Sequence, residues 1–144
     1  MKNRLSQLAQ TPLKGTAILV TARRPRARTR CQSFHFALEG LRDVWQTQPN
    51  FRVHTYAAVG VSALGLWCRL SPTEWLWVVF AIGLVIFAEL MNTAIEQTVD
   101  LVVGLRPDPL ARRVKDVAAS CVLVACLIAL IIGGLTFFPH LVWR

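Results

Sequence analysis

From Val117 to Trp143 the chain contains no Asp, Glu, Lys or Arg. That run is longer than the roughly 20 apolar residues that carry a helix across a bilayer. Two further apolar segments precede it. Val53 to Cys68 is marginal in length and is closed by Arg69, and Trp75 to about Leu101 carries Trp75 and Trp77 where interfacial anchors belong. The three segments predict membrane spans over about 52–69, 75–101 and 116–142. Composition agrees: 54% of the 144 residues are hydrophobic and 17% charged, against about 45–50% and about 25% in soluble domains. A soluble globular fold and an intrinsically disordered chain are both excluded on these grounds.

Upstream of the first span, Ser33 is placed to cap a helix over about 33–47. Phe34, Ala37, Leu38, Leu41, Val44 and Trp45 recur at helical spacing, while Glu39, Arg42 and Asp43 fill the other side. Such a segment suits the membrane interface. Gln48-Pro49-Asn50 ends it, Ser71 to Glu74 makes a turn, and Gly104 to Asp116 reads as a loop. The predicted fold class is therefore an all-α membrane protein: three transmembrane helices plus an N-terminal amphipathic surface helix. Residues 31–144 form its membrane domain.

The net charge of +8 is unevenly placed. Residues 1–30 hold eight basic residues (Lys2, Arg4, Lys14, Arg23, Arg24, Arg26, Arg28 and Arg30) and no acid, and the remainder is neutral. A disordered basic tail is expected there, attracted to anionic lipid headgroups. It lacks the folded surface and groove-reading residues of a nucleic-acid binder. Tail and second loop are both basic, so the positive-inside rule puts the N-terminus in the cytoplasm and the C-terminus outside. Cys31, Cys68, Cys121 and Cys126 form no CxxC pair and read as small buried hydrophobes.

The second span carries Glu89, Asn92, Glu96 and Asp100. At about 100° per residue, Glu96 and Asp100 fall roughly 20° to either side of Glu89, and Asn92 roughly 60° away. The four make one polar stripe. Ionisable groups in a span are costly and functional by default. The stripe could be polar glue between helices, paired with Lys or Arg from a neighbour, although glue usually employs neutral polar residues. It could instead bind a hard divalent cation and supply a general base. Lys115 and Asp116, at the head of the third span, could neutralise and orient a phosphate. They could equally be a plain helix start with Asp in its first turn.

The segment Glu89-Leu-Met-Asn-Thr-Ala-Ile-Glu96-Gln-Thr-Val-Asp100 resembles the signature of the small prokaryotic integral-membrane lipid kinases, the diacylglycerol and undecaprenol kinases. Glu39-Gly40-Leu41, Asn50 to His54, Ile82 to Val85, Pro109-Leu110-Ala111 and Lys115 to Ala119 extend the similarity over about Ser33 to Phe138. The resemblance implies a homotrimer in the inner (cytoplasmic) membrane. Its active sites would lie at subunit boundaries near the cytoplasmic face, using ATP and Mg2+ to phosphorylate a lipid hydroxyl. By the same resemblance Glu89 would accept the hydroxyl proton, and Glu96 would hold magnesium against ATP. Asn92 and Asp100 would order the site, Lys115 and Asp116 would contact ATP, and Phe36 would lie beside the nucleotide. Asn50 to His54 and Ser71 to Trp75 look more like the undecaprenol branch.

Gln48 stands where many members have a metal-binding Glu, and an amide can ligate magnesium only without charge. The alternative expectation is a non-catalytic assembly, or a cation-conducting pore lined by the stripe.

Overall fold

The computed structural model describes residues 29–104 and 106–142. Four helices account for them, and no strand occurs among the described residues: α1 (Arg30–Thr47), α2 (Pro49–Cys68), α3 (Pro72–Val103) and α4 (Pro109–Val142). The basic tail lies outside the described residues except for its last two, as do Trp143 and Arg144.

The chain divides into two compact units, the boundary falling between Phe36 and Ala37. In the described part of the first, α1 starts earlier than Ser33. The Thr29 hydroxyl accepts from the Gln32 N–H at 3.4 Å, and the Gln32 side chain accepts from the Thr29 N–H at 3.3 Å. This reciprocal exchange is a capping box, which satisfies two orphan donors together. Ser33 is accordingly an interior helical residue, and Arg30, expected in the tail, opens the helix.

The second unit holds the rest. Leu38, Leu41 and Trp45 of α1 are exposed there, as Phe34 is in the first unit, and Val44 is the residue that α1 buries. Trp45 meets Phe51 and Tyr56 of α2 edge-on, at ring-centroid distances of 6.4 and 5.8 Å. The break between α1 and α2 is a single residue, Gln48, because Pro49 fits the first turn of a helix, where its missing N–H is not needed.

Helix α2 ends in a Schellman turn. Arg69 adopts the left-handed conformation (φ 56°, ψ 50°), with Arg69 N–H to Leu66 O and Leu70 N–H to Gly65 O, both 3.2 Å. Ser71 and Glu74 then form the capping box of α3. A Cβ on Gly65 would stand 2.9 Å from the Trp75 ring, so only glycine allows this approach. Cys68, Leu70, Val78 and Phe137 close that end of the bundle.

Helices α3 and α4 are each long and apolar enough to cross a membrane, and most of their surface is not buried by the chain itself. Five of the seven buried positions of α3 (Val78, Ala81, Val85, Ala88 and Asn92) repeat at alternating steps of three and four, and Glu89 and Thr93 each follow one of them directly. Facing them on α4 are small residues, Ala118 and Ala125, spaced one heptad apart. Between helices in lipid, where no hydrophobic drive operates, such small residues permit the close packing that holds the pair.

Gly104 ends α3 with φ +66° and ψ −152°, a conformation open to glycine. The expected loop from Gly104 to Asp116 is shorter than read, because α4 begins at Pro109. Asp108 caps it: its Oδ1 accepts from the N–H groups of Leu110 (2.7 Å) and Ala111 (2.9 Å). Lys115 and Asp116 therefore sit inside α4 and not at its start. The favourable placing of Asp116 in a first turn does not apply.

Candidate active site

The polar stripe of α3 runs from the interior outward. Glu89 is 3% exposed and Asn92 8%, Glu96 is half-buried, and Asp100 is exposed. Helical geometry sets this order: the stripe keeps its face while α3 passes beyond the packed part of the bundle. Asn92 Nδ2 donates to Glu96 Oε1 at 3.1 Å, one turn along. Lys115 Nζ donates to Asp100 Oδ1 at 2.6 Å and ties α4 to α3 at the open end. One of the three carboxylates thus has the basic partner expected of interhelical glue. Glu89 takes part in neither bond.

Asp116 does not join this group. It faces Arg112 on its own helix at 3.9 Å, with both side chains largely exposed. Gln48 is half-buried at the α1–α2 break, where its side chain makes no capping bond. Phe36 belongs to the first unit, edge-on to His35 at 6.4 Å.

Two features were not singled out from sequence. Thr93 is 2% exposed, and its Oγ1, like Asn92 Oδ1, is buried without a hydrogen-bond partner. His54 of α2 lies within electrostatic reach of Glu89, as does Cys126 of α4. His54 stood in the Asn50–His54 motif, but its nearness to Glu89 depends on how α2 packs on α3, which no spacing within one helix encodes.

Among the described residues, no three His, Cys, Asp or Glu side chains converge on a point that could hold a metal ion. Magnesium does not need three, since it commonly takes one or two carboxylates and completes its shell with phosphate oxygens and water. Glu96, with the unpartnered Asn92 carbonyl oxygen beside it, offers hard oxygen donors that fit such a shared site.

At the opposite end of the bundle, Glu74 stands in the turn ahead of the second apolar span. The Ser71 hydroxyl, the His140 ring and the Ser71 N–H all donate to it. Together they hold its carboxyl at about 2, well below the usual 4.5.

A bundle of apolar helices with a buried carboxylate, an Asn–Glu pair and a lysine at one end defines a membrane protein whose polar site opens beyond its packed core. Residues 35–137 match the prokaryotic diacylglycerol kinase family, and the chain belongs to that family. It is similar to the undecaprenol kinase of Bacillus subtilis (42% identical over 110 residues, covering 76% of this chain and 89% of that protein). It is also similar to the diacylglycerol kinase of Synechocystis (38% over 109 residues, covering 76% and 62%). The diacylglycerol kinase of Escherichia coli K12 is 27% identical over 105 residues, covering 73% and 85%.

Proposed function

We propose that this chain is an ATP-dependent lipid kinase that moves the γ-phosphoryl group of ATP to the hydroxyl of a membrane lipid, with undecaprenol preferred to diacylglycerol. The observation that carries the reading is Glu89: a carboxylate 3% exposed, outside both hydrogen bonds of the stripe, within a bilayer-length helix of this family. Such a group is available to a substrate proton. The similarity to an undecaprenol kinase supports the choice of lipid.

Phosphoryl transfer asks little covalent chemistry of a protein and much positioning and charge neutralisation. Glu89 accepts the proton of the lipid hydroxyl as its oxygen attacks phosphorus. Asn92 holds the Glu96 carboxylate through its amide and keeps it aimed. Glu96 would hold Mg2+ jointly with ATP oxygens, and the ion, when bound, offsets charge on the transferred group. Lys115 turns from Asp100 to the phosphates, Asp100 orders it, and Asp116 contacts ATP from the exposed side of α4. A cation pore is the weaker reading, because the Lys115 ammonium stands at the open end of the stripe and would repel a cation.

The wider arrangement is also part of this proposal. α2, α3 and α4 would all span the inner membrane, and α1 would lie on its surface through Phe34, Leu38, Leu41 and Trp45. The chain would form a homotrimer, with the N-terminus cytoplasmic, the C-terminus outside, and the basic tail on anionic headgroups.

The test is transfer of labelled γ-phosphate in membranes holding the protein or its Glu96→Gln variant. Undecaprenol and diacylglycerol are offered separately, with and without magnesium. Magnesium-dependent labelling, stronger with undecaprenol and lost in the variant, is expected. No labelling of either lipid by folded protein would overturn the reading.

A further inference from the structure

A threonine hydroxyl inside a helix commonly turns back onto its own backbone. Thr47, Thr55 and Thr98 each donate to the carbonyl four residues earlier, at 2.7–2.8 Å. Thr93 breaks this pattern. It is 2% exposed, yet its Oγ1 has no hydrogen-bond partner and does not bond the Glu89 carbonyl four residues back. A polar group hidden without a partner costs folding free energy, so each such group in a native fold calls for a reason.

Its place on α3 supplies one. At about 100° per residue, Thr93 lies roughly 40° from Glu89, on the flank opposite Asn92. It is thus a fifth polar member of the stripe. Residues four apart on a helix have Cβ atoms about 5–6 Å apart. Helical side chains also lean toward the N-terminus, so Thr93 leans back over Glu89. Glu89 is itself 3% exposed and stays outside both hydrogen bonds of the stripe. A group that reaches the carboxylate therefore stands beside the hydroxyl as well.

The two side chains are chemically complementary. An ionised carboxylate only accepts hydrogen bonds, whereas a threonine hydroxyl also donates. An alcohol bound between them needs both, an acceptor for its proton and a donor for its oxygen. The other orphaned atom, Asn92 Oδ1, belongs to the side chain bound to Glu96 and fits the magnesium flank of the stripe. Thr93 stands on the other flank, beside the base.

We propose that Thr93 is a lipid-binding residue whose hydroxyl donates to the same substrate oxygen that Glu89 deprotonates. The role rests on the kinase reading. The lipid hydroxyl offers one O–H and two lone pairs. Its hydrogen points to Glu89, one lone pair accepts from Thr93, and the other forms the bond to the γ-phosphorus. The bond to the β,γ-bridging oxygen of ATP breaks, ADP leaves with its electron pair, and the hydroxyl proton ends on Glu89. A donor on the attacking oxygen draws off some electron density, but the loose transition state of phosphoryl transfer asks position of the nucleophile more than strength.

The experiment compares parent, Thr93→Val and Thr93→Ser proteins in membranes, titrating undecaprenol and magnesium-ATP separately, with thermal unfolding followed in detergent. Thr93→Val keeps the shape and loses the hydroxyl. Its kcat/KM for the lipid should fall about three- to tenfold, the worth of one neutral hydrogen bond. KM for ATP should stay within about twofold, because the nucleotide flank is untouched. The unfolding temperature should hold or rise, since a methyl replaces a partnerless buried hydroxyl. Thr93→Ser retains the donor and should keep kcat/KM for the lipid within about twofold of the parent.

A Thr93→Val protein with parental kcat/KM for the lipid overturns the role. So does one that fails to fold or loses stability, because the hydroxyl then serves the fold. A loss carried by KM for ATP, or an equal loss in Thr93→Ser, overturns it too. An inactive parent would overturn the kinase reading and this role together, whereas an active parent with an equally active Thr93→Val variant overturns only the role of Thr93.

Discussion

Replacing Lys115 with methionine separates two jobs that one side chain could do. In the structure its ammonium sits 2.6 Å from Asp100, with the two side chains 33% and 50% exposed. An ion pair so open to solvent contributes about 0.2–1 kcal/mol to folding. A charged hydrogen bond to a phosphate in a bound nucleotide is worth more, about 1.5–3 kcal/mol, which is about 10- to 150-fold in rate or affinity. Lys115→Met should therefore lower kcat/KM for ATP by about 10- to 150-fold while costing less than about 1 kcal/mol of stability. Asp100→Asn removes the same ion pair but leaves the ammonium free. It should cost similar stability and far less kcat/KM. The assay is phosphoryl transfer across an ATP titration, paired with thermal unfolding in one detergent. Equal kinetic losses in the two variants, both tracking lost stability, would refute the reasoning and make Lys115 a clasp between α3 and α4.

Further outcomes are expected elsewhere. Glu89→Gln should lower kcat by about 10²- to 10⁴-fold, as loss of a general base does, with nucleotide binding retained in a fluorescent-ATP titration. Glu96→Gln keeps an acceptor for Asn92 but loses charge, so the magnesium concentration giving half-maximal activity should rise. Gly65→Ala puts a Cβ 2.9 Å from the Trp75 ring. An overpacking cost of about 1–3 kcal/mol, partly offset by about 1 kcal/mol of helix propensity, should lower the unfolding temperature in detergent. The Glu74 carboxyl is depressed from 4.5 to about 2. Its stabilising contribution is complete above pH 4.5 and lost as pH falls through 2. Glu74→Gln should flatten that part of the stability–pH curve, and an unchanged curve would exclude the pairing with Ser71 and His140.

Much of this was legible because helical phase is local. The shared face of Glu89, Asn92, Glu96 and Asp100 follows from spacing alone, and so do the long apolar helices. What failed were helix beginnings. Thr29-x-x-Gln32 and Asp108-Pro109 are capping signals present in the chain, but Ser33 offers a competing cap nearer the apolar spacing, and Pro107, Pro109 and the basic residues around them read as loop, so both starts fall too far downstream. Asp116 was grouped with Lys115 by adjacency, although Arg112, one turn back on the same helix, claims it. Adjacent residues on a helix point about 100° apart, so adjacency is a poor guide to a shared site. The burial of Glu89, the exposure of Asp100 and the approach of His54 depend on which helix lies opposite, and that is decided by packing between distant segments.

The tight turn between α2 and α3 bears on how the chain enters a bilayer. α2 has 20 residues, with Arg52 and His54 near its start, and it is not one of the two described helices apolar enough to span. α3 is strongly apolar. The Schellman turn at Arg69, the capping box at Ser71 and the Gly65–Trp75 contact satisfy the polar backbone at both helix ends and lock the two side by side. Under the three-span topology proposed above, α2 and α3 would leave the translocon as one hairpin, the weaker helix carried by the stronger. A glycine linker opened between them should strand α2 on the surface, detectable as a change in the side reached by a glycosylation or cysteine-labelling tag.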